Sequence, residues 1–278
     1  MANNAAPLLQ IGNHRFEWGS RTYVMGILNV SADSFAGDGV GDVAAAVARA
    51  RRLAEQGADI IDIGGQSTRP GFDELSVDEE LSRIIPALQA VVSAFDVPVS
   101  IDAYRAPVVA AALEAGASMV NDIWGFRHDP EVARLVAEAN VPAVIMHNQR
   151  GRQFTDVIDD LRSGFAESLR IAEQAGINRN KLIIDPGFGF GWPIEANLDM
   201  LRRLSELKDL GLPILVGTSR KSTIGAVLDV EVPEQRLWGT AATIAIAIAN
   251  GADIVRVHDV AEMKQVCRMA DAIVRPRT

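Results

Sequence analysis

An alternation that begins at Tyr23 dominates this chain. Short β-rich apolar runs stand at 23–28, 59–63, 98–101, 118–121, 142–146, 181–184, 213–216 and 253–257. Stretches with apolar residues at helical spacing follow them, at 42–56, 106–115, 129–139, 154–175, 198–210, 236–250 and 260–274. One further helix is capped by Ser76, with Glu79 three residues on, a capping box. Asp42 is the expected N-cap of the first helix. Gly57, Gly116, Gly176 and Gly251 stop four of the helices, each supplying the left-handed cap of a short turn. Eight strands, each followed by a helix, predict a parallel sheet closed into a single (β/α)8 TIM barrel. An open doubly wound sheet is the alternative, but no GxGxxG follows the first strand. Residues 1–22 read as a polar N-terminal arm and 23–278 as the barrel. Phe16 and Trp18 alternate with polar neighbours, which predicts a short strand or hairpin closing the barrel floor.

Length and composition agree with one large domain. The chain has 278 residues, 48% of them apolar, enough for an extensive core. The 27 Lys and Arg against 36 Asp and Glu leave a net charge of −9, which argues against nucleic-acid binding. Cys267 is the only cysteine, so no intrachain disulfide forms, and its apolar neighbours make it a core residue. No basic segment followed by an apolar run opens the chain, and the apolar run 240–250 is too short to span a bilayer. A cytoplasmic protein without a membrane partner is expected.

The polar residues gather at one end of the apolar runs. Asp102, Asn121 and Asp185 end the third, fourth and sixth strands, and Pro186-Gly187 breaks the chain directly after the last. A carboxylate is costly to bury as mere packing, whereas barrel sites are built at the carboxyl ends of strands. Two acids and an amide fit a flat heterocycle with an amidine edge, since a carboxylate accepts two parallel N–H bonds. Capping of the following helices is the structural alternative for each residue alone.

A second group is cationic. Arg69, Arg220, Lys221, Arg256 and His258 stand in strand-end loops of an acidic chain, which suggests an anionic ligand. Residues 217–223 are not a Walker A loop, because the spacing is wrong. His147 and His258 both follow strands, yet no HExxH or CxxC spacing supports a zinc site, and no GxSxG elbow is present.

Taken together, MGILNVSADSF at 25–35, GGQSTRPG at 64–71, ID at 101–102, ND at 121–122, DPGFGFG at 185–191, GTSRKS at 217–222 and RVHD at 256–259 resemble the dihydropteroate synthases of the pterin-binding barrel superfamily. The resemblance spans 23–274. It implies condensation of 6-hydroxymethyl-dihydropterin diphosphate with p-aminobenzoate, with Mg2+ as cofactor and a homodimer as the usual assembly. Asp102, Asn121, Asp185 and Lys221 then match pterin contacts, Ile123 and Met146 match the apolar pocket wall, and Gly217 is a further substrate-binding position. Asn29 matches the amide that helps hold Mg2+ and diphosphate, and Arg256 and His258 the anion site. Ser222, Thr68, Pro70 and Phe190 match the surroundings of p-aminobenzoate. Asp33, Ser34, Phe35 and Arg69 match two loops that close over the reactants. The chain departs from the family at Ala32, Gln66, Ala103 and Trp192. A corrinoid-dependent methyltransferase and a catalytically silent pterin-binding protein are the rival readings.

Overall fold

The computed structural model describes residues 8–30, 40–65 and 75–275. Within them, β1 (Leu8–Ile11) and β2 (His14–Glu17) form an antiparallel hairpin. Eight parallel strands follow: β3 (Tyr23–Asn29), β4 (Ile60–Gly64), β5 (Val99–Asp102), β6 (Met119–Asp122), β7 (Ala143–Met146), β8 (Leu182–Asp185), β9 (Leu215–Val216) and β10 (Ile254–Val257). They lie in the order β8-β7-β6-β5-β4-β3-β10-β9, and an Ile184–Ile214 bridge joins the two edges. The expected (β/α)8 barrel is therefore the fold, with the hairpin at its floor.

Helices α1 (Val40–Glu55), α2 (Val77–Ala94), α3 (Ala106–Glu114), α4 (Glu131–Ala139), α5 (Val157–Gln174), α6 (Ile194–Arg202), α7 (Ser222–Leu228), α8 (Leu237–Ala249) and α9 (Val260–Val274) pack outside the strands. The capping box on α2 forms as expected: Ser76 Oγ accepts from the Glu79 backbone and Glu79 accepts from the Ser76 backbone. Most boundaries shift by a few residues, and three differences are larger. The first helix starts at Val40, so Asp42 lies inside its first turn and is not its N-cap. The stretch 198–210 is two pieces, α6 and a 3-10 helix Leu204–Leu210. The seven-residue α7 stands between β9 and α8, where the sequence reading has no helix.

Side chains alternate across each strand with period 2, and the alternation sorts them into two sets. Val24, Ile61, Val99, Val120, Ile145, Ile184 and Val255 join the outer core with helix residues such as Leu53, Ile84, Val108, Leu161 and Ile248. Met25, Ile60, Met119, Val144, Ile183, Leu215 and Ile254 point inward and form a second cluster with Leu9, Ile11, Phe16, Trp18 and Tyr23. The hairpin thus plugs the barrel with aromatic rings: Phe16 lies 4.7 Å and Trp18 5.5 Å from the Tyr23 ring. Because the floor layer is inward, the next inward residue stands two positions on. That rule raises Asp62, Asn121, Met146, Asp185, Gly217 and Arg256 into the layer above the plug, with Ser100 paired beside Asp62.

Candidate active site

The upper layer is polar and sits at the carboxyl ends of the strands. Register places Asp102 beside Asn121 and Met146 beside Asp185. Ile123, Met146 and Phe190 cluster into an apolar wall, with Tyr104 and Trp124 against it. The mouth therefore offers an apolar surface next to acids and an amide.

Arg256 is held between two carboxylates. Its Nε donates to Asp62 Oδ2 at 2.6 Å and its Nη2 to Asp102 Oδ2 at 2.6 Å. Asp62 Oδ2 also accepts from Asn121 Nδ2 at 3.0 Å. Burial pushes the Asp102 carboxyl up to about 7; the Arg256 charge opposes the rise and Asp62 adds to it. The two carboxylates in turn hold the Arg256 guanidinium above its ordinary value, against the effect of burial.

Asp62 was not singled out from the sequence, which drew attention to strand ends. The signal was there: an acid in the middle of an apolar strand, in phase with inward Ile60, has no route to water.

Asp185 is buried, and burial raises its carboxyl above the ordinary range while Lys221 and the Gly187 N–H oppose. The Gly187 N–H donates to Asp185 Oδ1 at 2.8 Å. Lys221 Nζ donates to the Phe188 carbonyl and lies 4.3 Å from the Phe190 ring centroid, a cation–π contact. Burial lowers its ammonium to about 7, with Asp185 pulling the other way. Arg150 stacks on the same ring at 5.0 Å. DPGFGFG thus places an acid, a ring and a lysine perch in one turn.

The remaining predicted residues divide. His258 is bound to Ser219, whose Oγ lies 2.9 Å from Nδ1. Asn29 is exposed at the end of β3, and Ser222 is exposed at the first residue of α7. Gly217 stands beside Arg256, its position for a Cβ 3.7 Å from the Arg256 Cβ. Arg220 is paired with Asp259, at 2.5 Å, and with Glu234. His147 is buried against Gln149 and Asp160, and burial lowers its imidazole to about 4. The two histidines hold different partners, and among the described residues no group of three or more His, Cys, Asp or Glu can hold a metal. Asp33, Ser34, Phe35, Gln66, Thr68, Arg69 and Pro70 lie outside the described residues.

Three residues that the motifs left open have structural explanations. Asp122 is buried and accepts from the N–H groups of Trp124 and Phe126 at 2.7 and 2.8 Å, holding the turn that carries Trp124. Burial nonetheless raises its carboxyl to about 6. Trp192 packs 4.9 Å from Phe154 and 5.6 Å from His147, and donates to the Pro186 carbonyl at 3.3 Å. Ala103 is buried in the outer core.

The comparisons with known proteins follow the same residues. A family model described as pterin binding enzyme matches 25–258. Dihydropteroate synthases from Clostridium beijerinckii and Synechocystis are 46% and 47% identical, over 96% and 97% of this chain and 100% and 96% of their own. A Clostridium difficile dihydropteroate synthase crystallised with pteroic acid superposes with a TM-score of 0.91 at 49% identity, over 94% of this chain and 99% of that one. The Xanthomonas albilineans enzyme in complex with 7,8-dihydropteroate gives 0.87 at 38% identity, over 98% of this chain and 100% of that one. The chain belongs to the dihydropteroate synthases, within the pterin-binding enzyme family.

Proposed function

We propose that this chain joins 6-hydroxymethyl-7,8-dihydropterin diphosphate to p-aminobenzoate, releasing diphosphate. The observation that carries the reading is the mouth itself: Asp102, Asn121 and Asp185 as acceptors beside an apolar wall, with Arg256 between carboxylates. The ring lies on Ile123 and Met146, with Phe190 between it and the p-aminobenzoate side, and donates its N–H groups to the acids. The exocyclic C–O bond breaks and its electron pair leaves with diphosphate. The resulting cation is conjugated with the ring, where Asp102 and Asp185 stabilise it, a preorganised electrostatic contribution. Arg256 and His258 grip the departing anion. The amine of p-aminobenzoate then forms the new C–N bond and loses a proton to solvent, so no protein nucleophile is required.

Mg2+ would be held at the end of β3, where the exposed amide oxygen of Asn29 would be its protein donor beside the diphosphate. When bound, it would neutralise leaving-group charge. Ser222, next to Lys221 in the chain, and Phe190 are the described part of the p-aminobenzoate site.

The exposed apolar faces of α8 and α9 support a homodimer as the assembly. Trp238 is 80% exposed, Ile246 50%, Met269 64% and Ile273 68%, on neighbouring helices. Sedimentation should show a dimer that Ile246→Glu splits. The free, buried Cys267 suits the reducing cytoplasm. No helix among the described residues is long and apolar enough to cross a membrane. The deciding experiment is a coupled diphosphate-release assay. Release that needs both substrates is expected; no release with both present overturns the proposal.

A further inference from the structure

We infer that Asp62 sets the hydrogen-bond polarity of the ring pocket: by holding Asn121 with its oxygen toward the ligand, it makes that wall accept and selects a ring edge built of N–H donors. The inference rests on the pterin reading above and names what in the fold enforces it.

The two ends of an asparagine amide are alike in size, so their orientation is decided by partners. Asn121 is buried, and its amide has one protein partner among the described residues, Asp62. A carboxylate flanked by the Arg256 guanidinium accepts only, so the Asn121 atom 3.0 Å from Asp62 Oδ2 is the nitrogen. Turning the amide over would set two oxygens against each other where Asp62 is wholly buried. The Asn121 oxygen is left for the ligand, beside Asp102 in the register and in the same inward layer as Asp185. Asp102 uses one oxygen for Arg256, and Asp185 uses one for the Gly187 N–H. Each retains its other oxygen. Three acceptors thus face the ring.

A 2-amino-4-oxo ring brings an amino group and a ring N–H to that wall. A 2,4-dioxo ring brings a carbonyl where the amino group was, an acceptor against acceptors. Asp62 is therefore a positioning residue that acts through Asn121, and its hold on Arg256 ties ring selection to the anion grip.

The test titrates 6-hydroxymethylpterin and its 2,4-dioxo counterpart, 6-hydroxymethyllumazine, calorimetrically into the full chain and into Asp62→Asn, Asn121→Ala and the double variant. The wild type should prefer the amino ring by about 100-fold or more, as sites built around hydrogen bonds do. Asp62→Asn should cut that preference to under about tenfold, and Asn121→Ala should do the same. Adding Asp62→Asn to Asn121→Ala should change the ratio no further. A preference that survives Asp62→Asn overturns the inference, because a mere countercharge to Arg256 would leave ring choice intact. If Asp62→Asn does not fold, a preference that survives Asn121→Ala overturns it equally. A wild type that binds neither ring would instead refute the pterin reading, and the inference with it.

Discussion

Asp185 and Asp102 show how a single side chain serves function against stability. Asp185→Asn keeps the shape but removes a charge and one acceptor. It should reduce kcat/KM by about 2–4 kcal/mol, as expected for a charge-assisted bond lost from a dry site. Near-wild-type steady-state kinetics would refute the role. Asp102 should act the other way on stability. Its carboxyl is raised by burial from 3.8 to about 7 in the folded chain. Between those values the folded state holds the proton more often than the unfolded one, so stability falls as pH rises through that window. The cost of the charge is complete above about 7 and absent below 3.8. Asp102→Asn removes the charge, while Arg256 keeps Asp62. The ligand-free variant should therefore be more stable by about 1–4 kcal/mol at pH 8, converging with wild type near pH 4, while losing activity. Thermal melts across that range check the sign. Sequence reading found both residues because they end apolar strands. It passed over Asp62, whose position mid-strand makes sense only once the inward phase of β4 is known.

At the scale of an element, the turn after β8 explains why DPGFGFG is so dense in glycine. Gly187 has φ +71°, and a Cβ there would stand 2.0 Å from the His147 carbonyl oxygen, a backbone atom that cannot move aside. Gly189 has φ +81°, but its nearest neighbour is the Lys221 side chain at 2.8 Å, which can swing. Gly187→Ala should thus destabilise the fold by about 3 kcal/mol or more, whereas Gly189→Ala should cost about 1–2 kcal/mol and chiefly weaken substrate binding by displacing Lys221. Denaturant melts and KM values for the pair separate the two. The elements themselves were largely legible, since glycine stops and apolar phase mark them. The exceptions have physical causes. Helical spacing continues from α6 through 204–210, but the chain there tightens to a 3-10 helix after Arg203, at φ −103° and ψ 10°. Helix α7 spans only seven residues, too short for periodicity to declare.

The whole molecule divides its labour between the two ends of the barrel. At the floor, burial alone would raise Asp59, yet Arg21 at 2.8 Å, Lys264 at 2.8 Å and the Val24 N–H at 2.8 Å hold its carboxyl below the ordinary range. At the mouth, Asp102 and Asp185 are raised and Lys221 lowered, because burial outweighs the partners they have. Asp59 at the floor is satisfied by the protein, whereas Asp102 and Asp185 at the mouth each keep an oxygen for a substrate to satisfy. Stability should therefore be lost at the floor without loss of chemistry, the usual division in barrels. Phe16 tests this, being 2% exposed among Trp18, Tyr23 and the inward floor layer, with Asp62 and Asn121 the next inward positions above. Phe16→Ala should cost about 3–5 kcal/mol of folding free energy, the range for emptying an aromatic site. At 25 °C its kcat/KM per folded molecule should stay within about twofold of wild type. A loss of more than about tenfold in the folded fraction would mean that the plug positions the polar layer above it, and that floor and mouth are one mechanical unit.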